Sequence, residues 1–127
     1  MKYLCLAYEE EETLNNLSAG EWERLRRETL DYLELLRRGG HLISAEALQS
    51  SRMSTTVRVR AGRMSLTDGP FAETKEQLGG FFLIQAADLN EALQIASRWP
   101  SARFGSIEVR PIEEQLRVEA RYDSQQP

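Results

Sequence analysis

The sequence predicts an α+β fold, and three observations carry that prediction. Short apolar segments with strand-like character recur at residues 2–8, 41–49, 55–60, 63–67, 81–86 and 107–112. Two stretches with helical spacing, at about 19–38 and 88–99, each start at a capping signal and end at a glycine or proline stop. The resulting order, β-α-β-hairpin-β-α-β, sets two helices against an antiparallel sheet.

Each element has its own local cause. Residues 2–8 are apolar and aromatic-rich, and the acidic run Glu9–Glu12 bounds them, reading as the start of a solvated loop. Four adjacent carboxylates without turn glycines cannot wrap around one cation. Ser18 and Glu21 have capping-box spacing, which satisfies the orphan amides of a helix start. Trp22, Leu25, Thr29, Leu33 and Leu36 then recur on one helical face until Arg37-Arg38-Gly39-Gly40 stops the helix. Such a helix is roughly 30 Å long, and its stripe is expected to pack into the core.

His41–Gln49 is the second predicted strand, with Leu42, Ser44, Glu46 and Leu48 on one face and Ile43, Ala45 and Ala47 on the other. A polar loop, Gln49–Ser54, follows. Thr55–Arg60 alternates, sending Val57 and Val59 one way and Arg58 and Arg60 the other; Ala61-Gly62 turns the chain into Arg63–Thr67. Phe81–Ala86 is apolar on both faces. Asp88 and Glu91 cap a helix that Pro100 ends, and Ile107–Ile112 projects Glu108 and Arg110 from one face. Residues 1–112 form the predicted domain. The tail 113–127 is polar, but Leu116, Val118, Ala120 and Tyr122 alternate, as an added edge strand or a dimer arm would.

This order is that of a split β-α-β, ferredoxin-like sandwich with both helices on one face of the sheet. The first strand and Phe81–Ala86 are apolar on both sides, so the second face would leave a large bare patch. A symmetric homodimer with sheet facing sheet resolves this.

Composition narrows the function classes. A length of 127 residues suits one domain, and 41% apolar with 28% charged residues is globular. The net charge of −4 argues against a nucleic-acid surface. Cys5 stands alone in an apolar run, so it is expected to be a buried, inert thiol, and no Cys/His spacing suggests a metal. No apolar stretch reaches the roughly 20 residues of a membrane span, and the N-terminus lacks a signal-peptide plan, so a cytoplasmic protein without a membrane partner is expected. Nothing calls for a cofactor.

The densest chemistry lies in Asp68-Gly69-Pro70-Phe71-Ala72-Glu73-Thr74-Lys75-Glu76-Gln77-Leu78-Gly79-Gly80. A simple corner needs two to five residues and far fewer charges. Together with Phe81-Phe82, Gly105-Ser106-Ile107-Glu108-Val109-Arg110-Pro111-Ile112, Met1-Lys2-Tyr3-Leu4 and Thr55-Thr56-Val57-Arg58, this segment resembles the DGPF group of the YCII-related family over about residues 1–112. The resemblance implies a dimeric α+β barrel of ferredoxin-like protomers. It also implies a superfamily containing cofactor-free monooxygenases, lactone isomerases and dehydrochlorinases, with genes that often neighbour extracytoplasmic-function sigma factors. Shorter members carry a His on the first helix and an Asp near a turn, proposed as a catalytic pair. Here Ala19–Arg38 holds no His, with Tyr32 its nearest polar aromatic, so that pair does not carry over.

The candidate residues each have two readings. Asp68 is a turn former or a carboxylate at the mouth of a cleft that moves a proton. Arg58, Arg60 and Arg110 either bind an anionic ligand or form a fixed network with Glu73 and Glu108. Phe71 and Lys75 line the same expected cleft, while Gly79 and Gly80 permit close backbone approach. His41 is a strand-start residue or a base near neutral pH. The expected function is a homodimer that binds a small organic molecule, anionic ones included, beside Asp68–Phe71, with acid/base catalysis as one outcome. The alternative is a non-catalytic sensing or interaction module tied to transcription regulation.

Overall fold

In the computed structural model, residues 1–114 are described. They run β1 (Lys2–Glu9), α1 (Glu11–Asn15), α2 (Ala19–Arg38), β2 (Leu42–Ala47), β3 (Thr55–Arg60), β4 (Arg63–Asp68), β5 (Gln77–Gln85), α3 (Leu89–Ser97) and β6 (Gly105–Pro111). A four-stranded antiparallel sheet has the order β2-β5-β1-β6, while β3 and β4 form a separate two-stranded hairpin. This is the split β-α-β layout that the element order predicts. Most of the expected tail lies outside the described residues.

Strand parity builds the core. In β1, Tyr3, Cys5 and Ala7 are buried, while Leu4, Leu6 and Tyr8 between them are only half-buried. Tyr3, Cys5, Phe82, Ile84 and Ala86 meet Leu36 of α2 and Ala92 and Ile95 of α3 in one cluster. Phe82 is fully buried and stacks on Trp99, with ring centroids 4.1 Å apart and planes 14° from parallel. Tyr32 meets Trp99 edge-on at 6.1 Å and donates its hydroxyl to the Ile95 carbonyl at 2.6 Å, joining α2 to α3. Burial pushes the Cys5 thiol up to about 12, so it is an inert core group, as its apolar setting predicts.

The capping box at α2 is complete: Glu21 N–H donates to Ser18 Oγ at 3.1 Å, and Ser18 N–H donates to Glu21 Oε1 at 3.0 Å. At α3, Asp88 accepts from Glu91 N–H at 2.9 Å, but the Glu91 carboxylate reaches one residue further back, to Ala87 N–H.

Three local expectations give way. Glu9–Glu12 is no solvated loop: Glu9 ends β1, and a one-turn helix begins at Glu11. The Glu11 carboxylate accepts from Ser51 N–H at 2.7 Å and Ser50 Oγ at 3.0 Å, while its own N–H donates to Gln77 at 3.0 Å. Long-range hydrogen bonds thus fix a segment whose composition reads as exposed. Next, β5 begins at Gln77 rather than Phe81, so Gln77–Gly80 belongs to the sheet and not to the charged loop. Finally, a bulge at Ile43 puts Leu42 opposite Ile84 and Ser44 opposite Leu83. Leu42 and Ala45 therefore both face the core, whereas strict alternation assigns them to opposite sides.

The sheet's other face carries Leu4, Leu6 and Tyr8 beside Phe81 and Leu83, with Leu4 opposite Leu83 and Leu6 opposite Phe81. No described element covers it. The hairpin pairs Val57 with Leu66 and Val59 with Met64, and all four are more than half exposed.

Candidate functional site

The second bulge of the sheet positions the site. Ala7 pairs with Gly80 and Tyr8 with Leu78, leaving Gly79 as the extra residue. Across the strands Ala47, Gly80 and Ala7 then form one row of small side chains, next to the bulky row that contains Phe82. The C-terminal half of α2 packs on Phe82 and Ile84 through Leu36. Its N-terminal half has only the small row beneath it. The space left is a cavity of about 500 Å³, bounded by Trp22, Leu25, Thr29 and Leu33 of α2. The helical stripe thus divides: Leu36 fills the core, whereas Trp22, Leu25, Thr29 and Leu33 line the hollow.

At the end of this floor stands Glu9, which keeps the parity of Tyr3, Cys5 and Ala7 and so turns toward the helices. A Cβ on Gly79 would lie 2.6 Å from Glu9 Oε2, so the glycine leaves the room that the carboxylate fills. Burial holds the Glu9 carboxyl above its ordinary range; the nearby Ser101 hydroxyl eases the charge, and the neighbouring Glu11 adds to the strain. Ser101 lines the same cavity and is 5% exposed. Its hydroxyl lies near enough to Glu9 to favour the carboxylate, yet makes no hydrogen bond of standard geometry among the described residues. A buried, unpartnered hydroxyl beside a desolvated carboxylate is costly unless something else meets both.

Glu9 also links stability to pH. Its folded pKa is raised, so its contribution is complete below the ordinary carboxylate value and is lost as pH rises through the folded value. Glu9→Gln is therefore expected to melt above the parent at pH 8, where the desolvated carboxylate costs the folded state. The two should converge near pH 4. Equal melting temperatures at both pH values would refute a desolvated Glu9.

A family model for the YCII-related domain matches residues 1–115. The chain belongs to this family. An uncharacterised protein of Rhizobium meliloti (strain 1021) is similar to this YCII-related chain, 40% identical over 114 residues that cover 88% of this chain and 92% of that protein. Among solved structures, 5-chloro-2-hydroxyhydroquinone dehydrochlorinase from Burkholderia phenoliruptrix AC1100, in complex with 2,5-dihydroxybenzoquinone, is similar in fold. Its TM-score is 0.53 at 16% identity, covering 89% of this chain and 94% of that one.

In this YCII-related protein the residues singled out from sequence fall into three separate places. Asp68, Phe71, Glu73 and Lys75 are exposed on the hairpin and its following loop, and Arg58 donates to the Phe71 carbonyl at 3.4 Å. Arg60 donates to the Val59 carbonyl. None of residues 68–76 lines the cavity. Glu108 and Arg110 pair with each other on β6, on the uncovered face of the sheet. His41 lies at the far end of β5, with Nδ1 2.9 Å from the Gln85 carbonyl and 3.8 Å from Glu91. The structure brings Arg58 to Phe71 and Glu108 to Arg110, and leaves His41 apart from both.

Glu9, Trp99 and Ser101 were not singled out from the sequence as site residues. The sequence reading placed Glu9 at the start of a solvated loop, and nothing in the local sequence marked Ser101. Among the described residues no group of three or more His, Cys, Asp or Glu could hold a metal ion, and no helix is long and apolar enough to cross a membrane.

Proposed function

We propose that this YCII-related protein binds a small organic molecule in the cavity between α2 and the sheet, and that Glu9 handles a proton there. The observation that carries this reading is the end of a mostly apolar hollow, where Ser101 is buried beside the desolvated Glu9 without a hydrogen bond of standard geometry among the described residues. A volume of about 500 Å³ suits a ring-sized ligand. The dehydrochlorinase of similar fold is described with 2,5-dihydroxybenzoquinone, a molecule of that size, which supports the reading. For proton transfer Glu9 is better placed than Asp68, which is exposed on the hairpin.

The working unit in this reading is a homodimer. Leu4, Leu6, Phe81 and Leu83 form an apolar sheet face that a second copy would cover. The hairpin with Val57, Val59, Met64 and Leu66, together with Phe71 at 81% exposure, serves as the arm that grips that copy. Asp68, Arg58 and Lys75 belong to this arm.

Thermal-shift titration with small, uncharged hydroxylated aromatics, catechol and hydroquinone among them, tests the site. A saturable rise in melting temperature is expected, of the size RT ln(1 + [L]/Kd) dictates. Thr29→Phe, which fills the hollow from the helix side, should remain folded by circular dichroism and lose the rise. Retention of the full response in Thr29→Phe would place binding elsewhere and defeat the proposal. Sedimentation equilibrium tests the dimer: a single copy at high concentration would contradict it.

A further inference from the structure

Resting on the reading of the cavity as a small-molecule site, we infer that it selects an uncharged or cationic molecule with an apolar, ring-sized body and a hydroxyl or amine hydrogen-bond donor aimed at Glu9. Carboxylates and phosphates are excluded. This differs from the anionic ligand that the arginine-bearing strands suggest, because those arginines do not line the hollow.

The lining decides the sign. Its walls are Leu14, Leu25, Leu30, Leu33, Trp22 and Trp99, which offer surface but no charge. Its ionisable side chains are Glu9 and Glu11 against Arg26; Glu46 borders it through backbone, its side chain leaving from the sheet's other face opposite Phe81. Arg26 is directed outward, with its side chain 62% exposed and 3.6 Å from Glu23. The Glu11 carboxylate is already held by Ser50 and Ser51. What remains beside Gly79 is one carboxylate that accepts and one hydroxyl, on Ser101, that can donate or accept. An incoming anion would meet like charge without a guanidinium or ammonium to offset it, in a setting where water screens poorly. A hydroxyl or an ammonium would instead donate to Glu9, and Ser101 would bond the oxygen of a hydroxyl ligand.

Gly79 makes the selection adjustable. Its missing Cβ is filled by the Glu9 carboxylate at 2.6 Å, the far end of a flexible side chain. Gly79→Ala should therefore fold and move the carboxylate, rather than disrupt the strand.

The test compares three probes of similar size, catechol, benzylamine and benzoate, by calorimetric titration into the parent, Glu9→Gln and Gly79→Ala. The parent is expected to bind catechol and benzylamine at least ~10-fold more tightly than benzoate. Glu9→Gln should narrow the benzylamine–benzoate gap roughly 10-fold, and Gly79→Ala should weaken catechol several-fold with the fold intact. Benzoate binding as tightly as the other two, or a gap unchanged in Glu9→Gln, overturns the charge selection while leaving the small-molecule site standing. Absence of binding by all three to the parent at ~10 mM, with Thr29→Phe indistinguishable from it, overturns the site itself and the selection with it.

Discussion

Phe82→Ala is expected to lose about 3–5 kcal/mol, the cost of removing a fully buried aromatic ring from a core that collapses only partly. A whole domain is stable by about 5–15 kcal/mol, so the variant should be barely folded at 37 °C. Phe82 has Cys5 and Ala45 as its cross-strand neighbours, both small, and its ring stacks on Trp99 at 4.1 Å. Neither neighbour can swing in to fill the void. Of its two ring contacts Trp99 would lose the stack on the sheet and keep the edge contact with Tyr32. Because Trp99 also lines the cavity, ligand binding should fall together with stability. Urea denaturation followed by tryptophan fluorescence measures the loss, and Phe82→Leu gives the graded comparison at a smaller cost. A loss under ~1 kcal/mol in Phe82→Ala would mean that the stack contributes little.

Gly105→Ala is the second large effect, at about 3 kcal/mol, the upper end of overpacking. The backbone at Gly105 is extended, with φ −177°, so conformational strain is not the reason. Space is. A Cβ there would sit 1.9 Å from the Tyr8 carbonyl oxygen, 2.9 Å from its carbon and 3.0 Å from the Glu9 Cα. All three are backbone atoms of β1, so either β1 or β6 must move and the end of their ladder must open. That displacement carries Glu9 with it, and weaker ligand binding is expected from a residue outside the cavity. Gly20→Ala is the matched control. Nothing lies within 4 Å of its added Cβ, and alanine suits a helix, so a neutral or slightly stabilising change of about 0.5–1 kcal/mol is expected. Comparable losses in the two variants would remove the steric explanation.

The fold was legible because its signals are local. The apolar, aromatic-rich run of residues 2–8, the Ser18–Glu21 box, the Gly39-Gly40 stop and the alternation of Thr55–Arg60 each act within a few residues, and the element order then restricts the topology. The family words around Asp68 and Gly105 pointed the same way. The charged loop drew attention to Asp68 and Phe71, yet composition alone does not say where a loop points. These residues stand on a hairpin that leaves the main sheet.

The cavity arises from a relation among strands distant in the chain. Ala47, Gly80 and Ala7 are unremarkable singly and become a recess only when register sets them side by side under α2. Two bulges, at Ile43 and Gly79, set that register, and a bulge depends on partner strands rather than on local propensity. Glu9 shows the same division. The composition around it reads as a loop start, and its place at the end of the first strand, its partial burial, the room beside Gly79 and the buried Ser101 next to it exist only once the strands and helices have packed. Periodicity and caps therefore specified which elements form and how they face, through interactions a few residues long. The hollow and the setting of its carboxylate were decided by packing between segments far apart in the chain, such as Ala7 with Gly80 and Glu9 with Gly79, where side-chain size and desolvation act and local pattern does not.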